Sequence, residues 1–493
     1  MNILDEIKNK NSNHWESMRE ANALQLFTNA SKRVPAYKDF LKKNNINPGK
    51  IKTFQDFQNI PPVSKKNYLR QYELKDLLWD GNFKKPLVFT STTGSTGEPF
   101  YFPRSHALDK QYSFLAELFL EHGYRDKQKG PTLIIVVFGM GVWIGGLLTY
   151  QAFEIAGRRG DYPISLITPG INKDQIFAIL KKLAPQFKQT IIAGYPPFVK
   201  DIVDSALDIG IDLKKLNLRL LFAAESFSEK FRDHLTLSAG IRNAELDTLN
   251  IYGTADIGAM AWETPTAIFT RRQATENQDV FRKIFGTIRK TPTLAQYNPN
   301  FITFEAPNGD ILLSGDNSIP LVRYEIGDRG RTMSFNDVKE VFQSEGLDYL
   351  DLFNKAKLSG YIYQLPFVYV YERSDFSVVL SGANIYPEEI KEALISKKLK
   401  QVFTGKFTME IGYTHRFHET LTINLELKPN QKSSKQLSRL ALSVITETLL
   451  EKNSEFHAIH TGKVKGSTPI IKLWPYESPN YFKPGIKQKW VKK

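Results

Sequence analysis

The sequence predicts an α/β protein, with a large multi-layered N-terminal domain followed by a small α+β C-terminal domain. Three observations carry that reading. From about Pro86 to Leu221, short β-branched runs alternate with amphipathic helical stretches, the pattern of helices packed on sheets. From about Phe301 the pattern turns to strand and turn. Near Arg373–Asp375 it changes again, which sets the domains at residues 1–374 and 375–493.

Residues 1–80 read as mostly helical, broken at Ile60-Pro61-Pro62. The runs PLVFT, TLIIVVF, PISLIT, QTIIAGY and LRLLFAAE read as strands, and KDQIFAILKKLAPQF and PFVKDIVDSALDIG as helices between them. FITFEAPNGDILLSG and IPLVRYEIGDRG continue as strand and turn. In the C-terminal domain SVVLSGANIYPEEIKEALI opens a strand–loop–helix unit, LTINLELKP alternates as a strand, and SKQLSRLALSVITETLLEKN reads as a helix. The stretch Gly130–Phe153 carries no charge and is long enough to be weighed as a membrane span, which takes about 20 apolar residues. Glycines at 139, 141, 145 and 146 split it into a buried strand, a turn and a helix start, so no membrane association is expected.

Composition narrows the chemistry. Over 493 residues, 41% are apolar and 24% charged, which supports a sizeable core. There is no cysteine, which excludes disulfides, thiolate zinc sites and a cysteine nucleophile, and agrees with a reducing cytoplasm. The first twenty residues mix acids and bases with no apolar run, so no secretory leader is expected. The net charge of +14 is spread along the chain except for eight lysines from Lys463 to Lys493. It reads as a solvated basic surface able to attract nucleotides or acidic carrier proteins. Nucleic acid is not expected as a partner, since no recognition motif accompanies the charge.

The sharpest motif is Thr92-Thr93-Gly94-Ser95-Thr96-Gly97-Glu98-Pro99. Its glycines allow a tight turn that converges N–H groups on an anion, and its hydroxyls add donors to phosphate oxygens. It follows one predicted strand and precedes another, Phe100-Tyr101-Phe102; it is not a Walker A loop, because G-x-x-x-x-G-K-[ST] is absent and no helix starts directly after it, and a polar hairpin loop is the plain alternative.

With its surroundings, this loop resembles that of the acyl-adenylate-forming superfamily, and within it the phenylacetate–CoA ligase-like branch, whose loop reads [ST]-[ST]-G-[ST]-T-G-x-P. The resemblance is colinear over most of the chain: Val34-Pro35-Ala36-Tyr37 and Ile60-Pro61-Pro62-Val63-Ser64-Lys65 upstream, then GMGVWIGGLLTYQAFEIAG, AGYPPF and FAAESFSEKFRDHL. It implies that residues 92–97 cradle ATP phosphates and that Glu225 lies near adenine. Asn250-Ile251-Tyr252-Gly253-Thr254-Ala255-Asp256 resembles Y-G-x-[ST]-E. There the Tyr252 ring would lie against adenine beside Gly253, and Asp256 would hold Mg²⁺. Ala255 replaces the expected hydroxyl residue, leaving Thr254 as its stand-in one position early, and Asp256 is one methylene shorter than Glu.

Further motifs complete the series. Pro320-Leu321-Val322-Arg323-Tyr324-Glu325-Ile326-Gly327-Asp328 matches P-x-x-R-Y-x-x-G-D, which makes Asp328 an acid at a strand end that accepts both ribose hydroxyls. Arg373-Ser374-Asp375 resembles R-x-D, with Arg373 as a ribose or phosphate contact and Asp375 as the hinge of a mobile C-terminal domain. Gly382-Ala383-Asn384-Ile385-Tyr386-Pro387-Glu388-Glu389-Ile390 matches the loop that flanks the thiol channel, represented by Gly382 and Asn384. Near the C-terminus, Lys487 in Pro484-Gly485-Ile486-Lys487 stands for the lysine that bridges carboxylate and α-phosphate, with Lys489 in reserve. Trp143, Gly145, Tyr195 and Ala223 would line the acid pocket.

The implied activity is ATP- and Mg²⁺-dependent conversion of a small carboxylic acid, in this branch often aromatic, to an acyl-adenylate, followed by transfer to the thiol of CoA or of phosphopantetheine. Two alternatives stay open: an adenylating enzyme that loads an acyl-carrier protein or forms an amide, and a nucleotide-binding homologue with weakened catalysis.

Overall fold

The structure is a computed structural model. It describes residues 2–84, 87–91, 100–125, 130–140, 144–286, 291–316, 318–373, 378–381, 383–414, 419–462, 464, 466–483 and 490–492. The chain divides into two compact units: residues 1–195, 210–226 and 239–371 form the first, and residues 196–209, 227–238 and 372–493 the second.

The first unit is built on strands β1 Val88–Ser91, β2 Tyr101–Arg104, β3 Thr132–Val136, β4 Ile164–Ile167, β5 Gln189–Gly194, β6 Leu218–Ala223, β7 Thr248–Thr254, β8 Gly258–Trp262, β9 Thr293–Gln296, β10 Ile302–Glu305, β11 Asp310–Asp316, β12 Pro320–Met333 and β13 Phe367–Arg373. Eleven of them form one sheet, in the order β10-β11-β12-β13-β9-β8-β7-β6-β5-β3-β4. The strands β4, β3, β5, β6 and β7 pair in parallel, as the alternating strand and helix pattern requires. From β7 onward the described pairings are antiparallel. The uncharged stretch after Gly130 becomes β3 and the helix Ile144–Gly160. Among the described residues no helix is long and apolar enough to cross a membrane.

Asparagine caps start the first two helices: Asn2 before Ile3–Asn9 and Asn11 before Ser12–Arg33. Pro35 stands in the first turn of Pro35–Lys43, where its missing N–H costs nothing. Phe27, Tyr37, Phe57 and Tyr68 from this region share a buried cluster with Phe304, Ile311, Leu321 and Tyr324 of the antiparallel half of the sheet. The break at Ile60-Pro61-Pro62 has a structural use. Val63 forms a parallel bridge with Tyr324. Its N–H donates to Arg323 O at 3.1 Å, and Glu325 N–H donates back to Val63 O at 2.8 Å.

In the second unit β14 Val378–Leu380 and β15 Ala383–Ile385 form a hairpin before the helix Pro387–Leu394. The strands β16 Phe403–Tyr413, β17 Glu419–Leu427, β18 Ile470–Trp474 and β19 Val491–Lys492 make a mixed sheet, β18-β17-β16-β19. The helix Lys435–Lys452, capped by Ser434, buries Ala441, Val444, Ile445 and Leu449 in the same core as Phe407, Ile423 and Leu425. The helix Pro196–Asp208 and most of Glu229–Ala239 cluster with this unit, a grouping their place in the sequence does not announce.

Candidate active site

The site is assembled where β7, β12 and the hairpin β1–β2 meet. Strands β1 and β2 pair antiparallel from Val88↔Arg104 to Ser91↔Tyr101, so they flank the loop 92–99 as the sequence reading requires. The loop residues Thr92, Thr93, Gly94, Ser95, Thr96 and Gly97 lie outside the described residues, as do Trp143, Asp375, Gly382 and Lys487; the side chains of Arg373 and Asn384 do too.

Tyr252 and Asp328 come together. The Tyr252 hydroxyl donates to Asp328 Oδ2 at 2.6 Å, the short distance of a charge-assisted bond. Both residues sit at irregularities of the sheet. The pairing of β7 with β8 shifts register between Tyr252 and Gly253. Gly253 is held there by contact: a Cβ would lie 2.6 Å from Gly258 O. On the other side, the β11–β12 pairing shifts between Leu312↔Glu325 and Asp310↔Arg329. Gly327 takes φ +81° within that bulge, a left-handed value that suits glycine. This corrects one expectation. Asp328 is not at a strand end, because β12 runs on to Met333; the bulge, not a terminus, turns its side chain to Tyr252.

Asp256 lies just past β7 and is 2% exposed. The Lys65 ammonium is 2.9 Å from its Oδ1, and the Tyr324 hydroxyl donates to its Oδ2 at 2.6 Å. The turn that carries it is clamped from below by Arg104 of β2. Arg104 donates to Thr90 Oγ1 at 3.0 Å, to Asp256 O at 3.1 Å and to Ala255 O. Burial pushes the Arg104 guanidinium down to about 9, opposed by the Asp256 charge, so it stays protonated at neutral pH. Thr254 turns its hydroxyl to the backbone: Asp256 N–H donates to Thr254 Oγ1 at 3.3 Å.

This geometry does not fit Asp256 as a ligand of Mg²⁺. Both carboxylate oxygens are engaged, one by an ammonium, and the side chain is sealed from solvent. Among the described residues no group of three or more His, Asp or Glu side chains could hold a metal ion.

The other expected residues are distributed as follows. Glu225 follows β6, and its carbonyl accepts from Asn250 Nδ2 at 3.1 Å, which ties it to β7 two residues before Tyr252. Ala224, between them, takes φ +77°. Tyr195 and Ala223 pack against one apolar cluster that contains Phe138, and the Phe138 ring covers Gly145 at 3.3 Å from where a Cβ would stand. Lys65, Arg104 and Tyr324 were not singled out by sequence reasoning. Lys65 and Tyr324 lie inside motifs that carry the resemblance, which is their only mark in the sequence; Arg104 has none.

No family model matches the chain. It is 21% identical over 379 residues to the phenylacetate-coenzyme A ligase of Pseudomonas putida, covering 75% of this chain and 72% of that one. The fold is shared with 2-hydroxyisobutyryl-CoA ligase in its postadenylation state with 2-HIB-AMP, at 14% identity and a TM-score of 0.64, over 99% of this chain and 91% of the other. The same ligase with 2-HIB-AMP and CoA in the thioesterification state matches at 15% identity and a TM-score of 0.54, with the same coverage. The chain therefore has the adenylate-forming ligase fold, and its sequence is similar to that of a phenylacetate-coenzyme A ligase.

Proposed function

We propose that this chain uses ATP to convert a small carboxylic acid to an acyl-adenylate and then transfers the acyl group to a thiol, that of CoA in the first instance. The observation that carries the reading is the 2.6 Å bond between Tyr252 and Asp328. It joins two motifs 76 residues apart that, in the resemblance, hold the base and the ribose of one nucleotide. The relatives named above, a phenylacetate-coenzyme A ligase and a 2-hydroxyisobutyryl-CoA ligase, support it.

The chain's own residues would act mainly by positioning. Asp328 accepts the ribose hydroxyls while Tyr252 fixes the carboxylate's orientation and offers its ring to adenine. The loop 92–97 binds the triphosphate. A carboxylate oxygen of the acid then attacks the α-phosphorus, the bond to the bridging oxygen breaks, and pyrophosphate leaves. Lys487 neutralises charge between the carboxylate and the α-phosphate. In the second step a thiolate sulfur attacks the acyl carbon and AMP leaves. Asp375 serves as the pivot, and Gly382 and Asn384 flank the thiol path. An aromatic acid is the class to test first, against a pocket that includes Tyr195 and Ala223. Asp256 takes no part as a metal ligand here, because Lys65 and Tyr324 engage its two oxygens.

Acid-dependent exchange of pyrophosphate into ATP tests the reading, and AMP release with CoA or with a carrier protein then identifies the acceptor. A Lys487→Ala variant that kept full exchange would remove that lysine from the scheme. The pairing of Asp256 with Lys65, beside the missing hydroxyl at Ala255, favours one second reading: a nucleotide-binding homologue with weakened catalysis. It predicts ATP binding with no exchange across a broad acid panel.

A further inference from the structure

We propose that Lys65 is the resident cation of Asp256 and a positioning residue of the nucleotide site, taking the place beside this carboxylate that a divalent ion was expected to fill. The inference rests on the nucleotide reading above for the site's ligand, and on geometry alone for the ion pair.

The backbone of Lys65 is fixed on both sides. Upstream, Val63 is hydrogen-bonded in both directions to β12. Downstream, Ser64 caps a single turn, Lys65–Leu69: Asn67 N–H donates to Ser64 Oγ at 3.2 Å and Ser64 N–H donates to Asn67 Oδ1 at 2.6 Å. Lys65 is the first residue of that turn, so the cap sets the direction in which its side chain leaves. Its ammonium reaches Asp256 Oδ1 at 2.9 Å while the Asp256 side chain is 3% exposed and that of Lys65 35%. A buried carboxylate needs a compensating charge, and here the chain supplies it. A second cation, Arg104, lies on the backbone of the same turn. A divalent ion approaching Oδ1 would have to displace an ammonium in a neighbourhood that is already cationic.

The pair also joins four pieces of the first unit. Lys65 brings the segment 60–69. Asp256 brings the end of β7, which carries Tyr252. Tyr324 brings β12, on which Asp328 lies four residues on. Arg104 brings the hairpin that flanks the loop 92–99. Removing the ammonium leaves a sealed carboxylate uncompensated at their junction, and the Tyr252–Asp328 geometry shifts with it. In this chain the acid after Tyr-Gly therefore positions the strands, and a metal ion delivered with ATP has to find its ligands elsewhere.

The test uses the full chain and the variants Lys65→Met, Lys65→Arg, Asp256→Asn and Lys65→Met/Asp256→Asn. Melting in EDTA reads the ion pair. We expect each single variant to lower Tm and the double variant to melt no lower than the worse single one, the signature of coupled residues. Calorimetric titration with AMP, in EDTA, reads the positioning. We expect Lys65→Met to weaken AMP by about tenfold and Lys65→Arg to return it to within about threefold of the wild type. Titration of Mg²⁺ at fixed ATP reads the metal. We expect its half-saturating concentration to stay within about twofold in Asp256→Asn, since one lost carboxylate ligand would move it by about tenfold or more. Additive melting shifts, an unchanged AMP affinity in Lys65→Met, or a tenfold rise in the Mg²⁺ requirement of Asp256→Asn would each overturn the proposal. If the wild type binds neither AMP nor ATP, the proposed function falls and the nucleotide role of Lys65 with it. The melting cycle alone then still decides the ion pair.

Discussion

Replacing Asp328 by asparagine separates affinity from stability in a way the structure makes quantitative. The carboxylate accepts a bond from the Tyr252 hydroxyl at 2.6 Å, and the residue is 7% exposed. A hydrogen bond to a charged group is worth about 1.5–3 kcal/mol net and a neutral one about 0.5–1.5, so each bond loses about 1 kcal/mol in the amide. The Tyr252 bond is made in the free protein, so its share appears in stability: about 1 kcal/mol, read as a shift in the urea midpoint. The two ribose bonds exist only in the complex, so their share appears in affinity: about 2 kcal/mol, or roughly a 30-fold weaker AMP by calorimetric titration. An AMP affinity within threefold of the wild type, with the stability loss present, would refute the assignment of Asp328 to the ribose and leave it as a strand-to-strand tie.

Three other perturbations have defined outcomes. His122 is buried, its Nε2 2.8 Å from the Tyr363 hydroxyl, and burial followed by the charges of Arg219, Lys8 and Arg125 holds its pKa well below 6.5. The unfolded chain takes up a proton near 6.5 that the folded chain refuses, so stability is full above that pH. It should fall by about 1.4 kcal/mol per unit as pH drops below it, and His122→Gln should flatten that slope in urea titrations at stepped pH. Arg104→Met leaves the carbonyls of Ala255 and Asp256 without their donor and should cost about 3 kcal/mol in urea, with a cost below 0.5 showing that the clamp is dispensable. Ala224→Gly should raise stability by about 0.5–1 kcal/mol, since φ +77° is costly for alanine and free for glycine; a loss would show that the Ala224 Cβ is packed.

The layered α/β core was legible because each element declared its own period. The runs TLIIVVF and QTIIAGY are buried on both faces and became β3 and β5. Tyr252, Asp256 and Asp328 were legible as motifs, but their partners were not. Tyr324 reaches Asp256 over 68 residues, and Arg104 reaches the same turn over 152, contacts that no local pattern encodes. The bulge that turns Asp328 was hidden for another reason: a two-residue register shift depends on the partner strand, which the sequence of β12 does not contain. The role of Asp256 was read from motif position alone, and the lysine that engages it lies in a segment whose most visible feature was a helix-breaking Pro-Pro.

The docking of Ile60–Val63 on β12 has a consequence in time. Arg323 Nη1 donates to Ile60 O across 263 residues of chain, and closing a loop of that length costs about 5 kcal/mol of chain entropy before any contact repays it. Parallel pairing of β3 through β7 closes shorter loops and can form first. During refolding, sheet content should therefore appear ahead of AMP-dependent quenching or protection at the site. A nascent chain released before β12 could not complete the site, however well its first domain half had folded. Trimming the first 70 residues should have the same effect on a mature chain, because that segment supplies the Val63 bridge to β12 and the Phe27, Tyr37 and Tyr68 part of the core beneath it.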